Sequence, residues 1–232
     1  MNIEIEEKLS LMQLSDSFFP TGMYAMSNGL EKIFLEKRIK TESEIFEFNK
    51  TMIEQQIASS ECILLLRTYD SIANNDFEEI FHLDEEYCAF KTNKESREAS
   101  IRIGRQLVKT IVEILQNDEK ISWLEKSISN RKISGNHLIV FAFSCYCMNI
   151  SKTDAMTMYL YNLVVTNVGA ALRLGIIHHI EGQKIIQKLK NIISKTIKEY
   201  IQKNTSEIYQ FCPELEIYQM QHQEIESKMF VT

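Results

Sequence analysis

The sequence predicts an all-α fold, a single helical domain over residues 1–232, from three observations. Seven glycines and two prolines are too few for a chain built from many turns, as an all-β fold would be. Apolar residues recur at three- and four-residue steps along most of the length. No stretch alternates as a strand does, and there is no internal repeat or low-complexity linker. Hydrophobic residues make up 44% of the chain, ample for one sizeable core. The periodicity divides into roughly nine to ten helices.

Glu4 to Leu14 is a short amphipathic helix through Ile5, Leu9 and Met12, leading to a sharp turn at Pro20-Thr21-Gly22. Helical spacing resumes over Met23 to Glu36, with Met26, Leu30, Ile33 and Phe34 on one side. Thr41-x-x-Glu44 has the form of a capping box and opens a long helix from Glu42 to about Ile72. Asn74-Asn75 breaks it, and Asp76 caps the next helix, through Phe90. Lys94 to Gln116 carries Ala99, Ile103, Leu107, Ile111 and Leu115 at four-residue steps. A short helix follows around Trp123 to Ile128. His137 to Met148 is apolar nearly all round, the pattern of a central buried helix. Ser151-x-x-Asp154 starts the helix Thr153 to Leu174, and Gly182 to Gln202 is amphipathic. The tail holds Pro213, Leu215, Ile217, Met220, Ile225, Met229 and Phe230. Both terminal segments are expected to be ordered by a partner.

The net charge of −6 does not favour nucleic-acid binding, which needs a basic face. The first residues lack a basic and then an apolar region, so no signal peptide is expected. The longest near-continuous apolar run, Leu138 to Met148, is about half of a membrane span. Five cysteines without regular spacing point to buried free thiols and a reducing, cytoplasmic setting.

No nucleophile with its base, no paired catalytic carboxylates and no HExxH, CxxC or Walker lysine motif can be placed. Cys145 and Cys147, two apart on a helix, do not share a face. His178-His179 is expected at the end of the Thr153 helix, where histidine favours the helix C-terminus. Arg97, Ser100 and Gly104 share one helix side, where two small residues let another backbone approach and a guanidinium finds an acceptor. Val168-Gly169-Ala170-Ala171-Leu172-Arg173 repeats small residues followed by arginine. These two helices are expected to form a core crossing or a seam between protomers, with Gly169→Leu disturbing packing or dimerisation. Pro20 to Gly29 fits either a tight helix corner or a binding loop.

Four segments, in order and over nearly the whole chain, resemble the urease accessory protein F family. The first is Leu11-x-x-Leu14-x-Asp16-Ser17-x-x-Pro20-x-Gly22-x-Tyr24-x-x-Ser27-x-Gly29-Leu30-Glu31. The second is Thr92-x-x-x-x-Arg97-x-Ala99-Ser100-x-x-x-Gly104-Arg105-x-Leu107. The third runs from His137 and its apolar helix through Tyr159-Leu160 to Ala170-Ala171-x-Arg173-Leu174 and Gly182-Gln183. The last is Pro213-x-Leu215-Glu216-Ile217-x-x-Met220-x-His222 with Phe230. Met23, Ala25, Met26, Cys212 and Ile177-His178-His179 depart from the family pattern.

The resemblance implies a non-catalytic chaperone of urease maturation. It would bridge the urease accessory protein D/H and the GTP-hydrolysing urease accessory protein G, and dimerise, while the assembled complex hands nickel to apo-urease. No tightly bound cofactor, nucleic acid or membrane is implied. Pro20, Gly22, Tyr24, Ser27, Gly29, Glu31, Pro213, Leu215, Met220, His222 and Phe230 would face the partner. Arg97, Ser100, Gly104, Gly169 and Arg173 would shape the dimer or core seam. The alternatives are a regulator of the G-type protein's GTPase and a direct nickel carrier through His178, His179 or His222. An α-helical enzyme with an unrecognised site stands behind these.

Overall fold

The computed structural model describes residues 2–16, 18–20, 25–203 and 207–232, and those residues form α-helices with no strand among them. In chain order the helices are α1 (Asn2–Ser15), α2 (Leu30–Leu35), α3 (Glu42–Thr51), α4 (Glu61–Asn74), α5 (Phe77–Phe90), α6 (Lys94–Ile114), α7 (Glu119–Ser129), α8 (His137–Cys147), α9 (Lys152–Arg173), α10 (His179–Lys203) and α11 (Pro213–Gln221). The side-chain caps expected at Thr41, Asp76 and Ser151 are all formed. Glu44 also reaches back to the Thr41 amide, completing the capping box.

Helix α8 is the axis of the molecule. Every residue from His137 to Cys145 is buried, and α4, α5, α6, α7 and α9 pack around it. An aromatic column fixes one side: Phe143 stacks on Trp123 at 5.8 Å and Trp123 on Phe77 at 4.3 Å. Helices α9 and α10 lie together, with α3 against both and α1 against α9. By length and composition α9 could cross a membrane, but 56% of its apolar window is buried within the fold, the pattern of a core helix.

Four elements differ from the sequence reading. The helix expected from Met23 is confined to α2, because Asn28 and Gly29 both adopt positive φ (53° and 89°) and turn the chain into it. The long helix expected over 42–72 is interrupted. Met52–Ile57 widens into a π-helix and a turn at Ala58–Ser60 separates it from α4. Helix α9 ends at Arg173, and Gly175, with a φ of 72°, takes the left-handed C′ position of a Schellman motif. The Ile176 amide donates to the Ala171 carbonyl and the Gly175 amide to that of Leu172. His178 and His179 therefore lie at the start of α10, not the end of α9, and the Glu181 carboxylate accepts from the His178 amide. Finally, residues 207–232 are a strap already laid against the body, with α11 against α2 and α6.

The strap uses the π-helical irregularity. The Tyr209 amide donates to the Ser59 carbonyl and the Phe211 amide to the Gln55 carbonyl. Carbonyls that a regular helix would have kept for itself thus hold a second segment of chain. The outer faces of α1 and of the strap stay apolar and exposed: Leu9 is 59%, Met12 64% and Phe211 77% exposed.

Gly104 sits where α6 crosses the start of α8. A Cβ there would stand 2.2 Å from the Gly135 carbonyl oxygen. Ser100, one turn earlier, accepts a hydrogen bond from the His137 amide at 3.1 Å. Arg97 donates to the Lys91 carbonyl at 2.7 Å and ties α6 to the end of α5. Gly169 has nothing within 4 Å of its Cβ position and makes no seam within the chain. The small residue between α9 and α10 is Gly182, whose Cβ position is 2.9 Å from Val168 Cγ1. Gly104→Ala is therefore expected to cost about 2 kcal/mol or more, lowering the melting temperature by about 4–8 °C. Gly169→Ala, by contrast, leaves stability unchanged or raises it by up to about 1 kcal/mol through helix propensity. Thermal unfolding followed by circular dichroism checks both.

Candidate functional site

The residues singled out in the first and last sequence segments converge at one junction. Helix α2 begins at Leu30, so Glu31 lies in its first turn, 3% exposed, pointing at the strap. One of its carboxylate oxygens accepts from the Met229 amide at 2.7 Å. The other meets His222 Nε2 at 2.9 Å and the Phe230 amide at 3.2 Å. His222, fully buried, places its Nδ1 2.7 Å from a Glu95 oxygen, and Lys228 donates to the other Glu95 oxygen at 2.6 Å. Carboxylate oxygens are acceptors, so a hydrogen on both ring nitrogens satisfies the two contacts. Two carboxylates, an imidazole and an ammonium then form a closed ionic network across α2, α6 and the strap.

Neighbouring contacts reinforce the junction. The Ser27 amide donates to the Thr232 carbonyl and the Val231 amide to the Ala25 carbonyl, each at 2.8 Å. Arg173, from the end of α9, lies over the Phe230 ring at 4.2 Å and also donates to the Gly169 carbonyl. Gly29 packs against Gln219, whose amide reaches the Asn28 carbonyl. Asn28 donates to Asn167, and Asn167 to Asn49, so a ladder of amides joins the turn to α9 and α3.

Glu31 thus meets His222 and Phe230 inside the chain, with Ser27 against Thr232 and Gly29 against Gln219 beside them. Leu215 is buried on the inner face of α11, whereas Pro213 and Met220 face outward. Pro20 is exposed beside a shallow groove with Arg102, Arg105 and Lys109 of α6. Gly22 and Tyr24 lie outside the described residues. His178 and His179 are exposed at the start of α10. Among the described residues no group of three or more His, Cys, Asp and Glu is placed to hold a metal ion.

A second cluster went unread in the sequence. Glu61, at the start of α4, is buried and receives Lys91 Nζ at 2.8 Å, the Tyr87 hydroxyl at 3.0 Å and the Tyr159 hydroxyl at 2.5 Å. Burial opposes its charge, but the Lys91 charge and the donors from Lys91, Tyr159 and Tyr87 outweigh that and hold its carboxyl below the usual range. Burial also works against the Lys91 ammonium, and Glu61 more than compensates, raising its pKa. His137, next to Tyr159 and Phe141, is pushed down to about 4 chiefly by burial. The only hint of this cluster in the sequence was a lone glutamate opening the apolar run Cys62 to Leu66.

With that geometry in place, the comparisons with known proteins are specific. The UreF family model matches residues 39–190. A urease accessory protein UreF of Trichodesmium erythraeum (strain IMS101) is 30% identical, over 99% of this chain and 99% of its own. One of Actinobacillus pleuropneumoniae serotype 5b (strain L20) is 25% identical, over 96% of this chain and 98% of its own.

Removing the imidazole in His222→Ala leaves Glu31 and Glu95 facing each other without their partner. The expected cost is about 3–5 kcal/mol, whereas Glu31→Gln, which keeps the shape, costs about 1.5–3 kcal/mol. Urea unfolding curves measure both, and a loss under about 0.5 kcal/mol for each would show the network to be incidental. His137 gives a signed pH dependence. Its folded pKa of about 4 lies below the unfolded 6.5, so the unfolded state binds more protons between these values. Its contribution is fully present above pH 6.5 and falls by about 3 kcal/mol on acidification to pH 4. His137→Phe should flatten the stability profile over that window relative to the parent chain.

Proposed function

Because the chain belongs to the UreF family of urease accessory proteins, we propose that it acts in urease maturation as a non-catalytic adaptor. In this reading it bridges a D/H-type accessory protein and the GTP-hydrolysing G-type protein, and nickel passes to apo-urease as the cargo of the assembled complex. The family supports the role in urease maturation. The division of labour within the strap supports the adaptor reading.

One side of the strap is consumed internally by Glu31, Glu95 and Arg173. Its other side leaves Phe211, Ile217, Met220 and Met229 exposed, 77%, 52%, 38% and 58% respectively. Ile217 and Met220 are three apart on α11 and so share a face. A surface of this kind, apolar outside and polar-locked inside, suits a partner that reads a pre-shaped segment. The exposed row Ile5, Leu9 and Met12 on α1 is a second such surface. In the same reading Gly169, open on α9, is available to a second copy of the chain in a homodimer.

This separates binding from folding. Ile217→Asp with Met220→Asp changes only the outward face of α11, so stability should stay within about 1 kcal/mol of the parent. Co-purification with a co-expressed D/H-type protein should be lost. Retained co-purification at parental yield would overturn the assignment of this face.

A further inference from the structure

Beneath the strap lies a cavity of about 100 Å³ between α4, α5, α6, α8 and α9. Glu61, Tyr87, Lys91, His137 and Tyr159 supply its polar wall, and Gln219 of the strap closes part of its outer side. The Glu61 carboxylate and Lys91 ammonium are in contact, so the inner wall is polar without net charge, while on the strap side Glu216 accepts from Gln210. His137 is 7% exposed, and among the described residues its ring nitrogens have no hydrogen-bond partner. Its ring contacts are with Phe141 and Tyr159. A buried imidazole normally finds a partner for both its donor and its acceptor.

The charges select what that partner can be. A cation would approach a carboxylate whose lone pairs already receive Lys91, Tyr87 and Tyr159, beside a fixed ammonium. An anion would have to leave water and meet the Glu61 carboxylate. A neutral molecule with both a donor and an acceptor meets neither penalty. It can bond the open nitrogens of His137 and the unused hydrogens of the Lys91 ammonium. The volume admits a few ordered waters or one solute of a few heavy atoms.

We propose that this cavity is a binding site for a small, neutral, hydrogen-bonding molecule, held between His137 and the Glu61–Lys91 pair. Ordered water and a small amide-like solute share that chemistry, and the test separates them. It rests on the cavity alone and does not depend on the urease reading.

Three probes of nearly one shape differ in charge: formamide, formate and formamidinium. Each is titrated into the isotopically labelled full chain while the imidazole nitrogens of His137 are followed by NMR. Ligand-efficiency limits put formamide no tighter than about 1 mM, so the titration runs to tens of millimolar. A saturating shift with formamide alone supports the solute form. Long-lived water cross-peaks to the His137 ring, without formamide saturation, support the water form. Tighter saturation by formate or formamidinium overturns the proposal. So does the absence of both formamide saturation and water cross-peaks. His137→Phe should abolish the response. Thr166→Leu, which narrows the cavity from α9 with His137 intact, should weaken formamide about tenfold. An unchanged affinity in Thr166→Leu overturns the location.

Discussion

A single buried carboxylate, that of Glu31, decides how the chain closes. It sits in the first turn of α2 and gathers two amides and a histidine from residues 222–230. A charge with so little solvent must be matched by donors, or folding pays heavily for it. The matching donors come from nearly two hundred residues away, so electrostatics positions the strap together with the burial of Leu215, Tyr218 and Phe230 in the core. Its attachment is supplied by Glu31, by the backbone of 25–27 and by the carbonyls of Gln55 and Ser59. The same strap lines part of the outer side of the Glu61–Lys91–His137 cavity. Lifting it would expose two buried ionic clusters at once.

Much of the helical architecture was legible. Thr41, Asp76 and Ser151 announce their helices because a cap is a local event, fixed within four residues. Helix α8 reads as central because it has no polar face. The misread boundaries have local causes of a subtler kind. The end of α9 at Leu174, before Gly175, was read within a residue, and only His178-His179 were misplaced, because they follow the Gly175 turn and open α10. The π-helix at Met52–Ile57 keeps nearly helical spacing, so periodicity cannot see it. Its Gln55 carbonyl, and that of Ser59 in the turn that follows, accept from Phe211 and Tyr209, a tertiary contact that no local pattern records.

The site was half legible. The family resemblance drew attention to Ser27, Gly29, Glu31, His222 and Phe230, and in the fold each of them contacts the junction between the 27–31 segment and the strap. That they meet this junction rather than facing outward could not be read, because the contact spans almost the whole chain. Glu95 and Lys228 complete the network and look like ordinary surface charges in sequence. Tyr87 and Lys91 are four apart at the end of α5, but Glu61 and Tyr159 come from α4 and α9, and no spacing rule links these to them. Buried polar clusters of this sort appear only when the packing is known.

The central claim is that the chain itself holds the strap, leaving only its outer face for a partner. Hydrogen exchange at the Met229, Phe230 and Val231 amides, in the chain alone and then with a D/H-type protein, addresses it most directly. These amides donate to Glu31 and Ala25. Slow exchange in the isolated chain, little changed by the partner, is the expected result. Exchange at the rate of an unprotected peptide in the isolated chain, with protection gained only in the complex, would contradict it and assign the ordering of the strap to the partner.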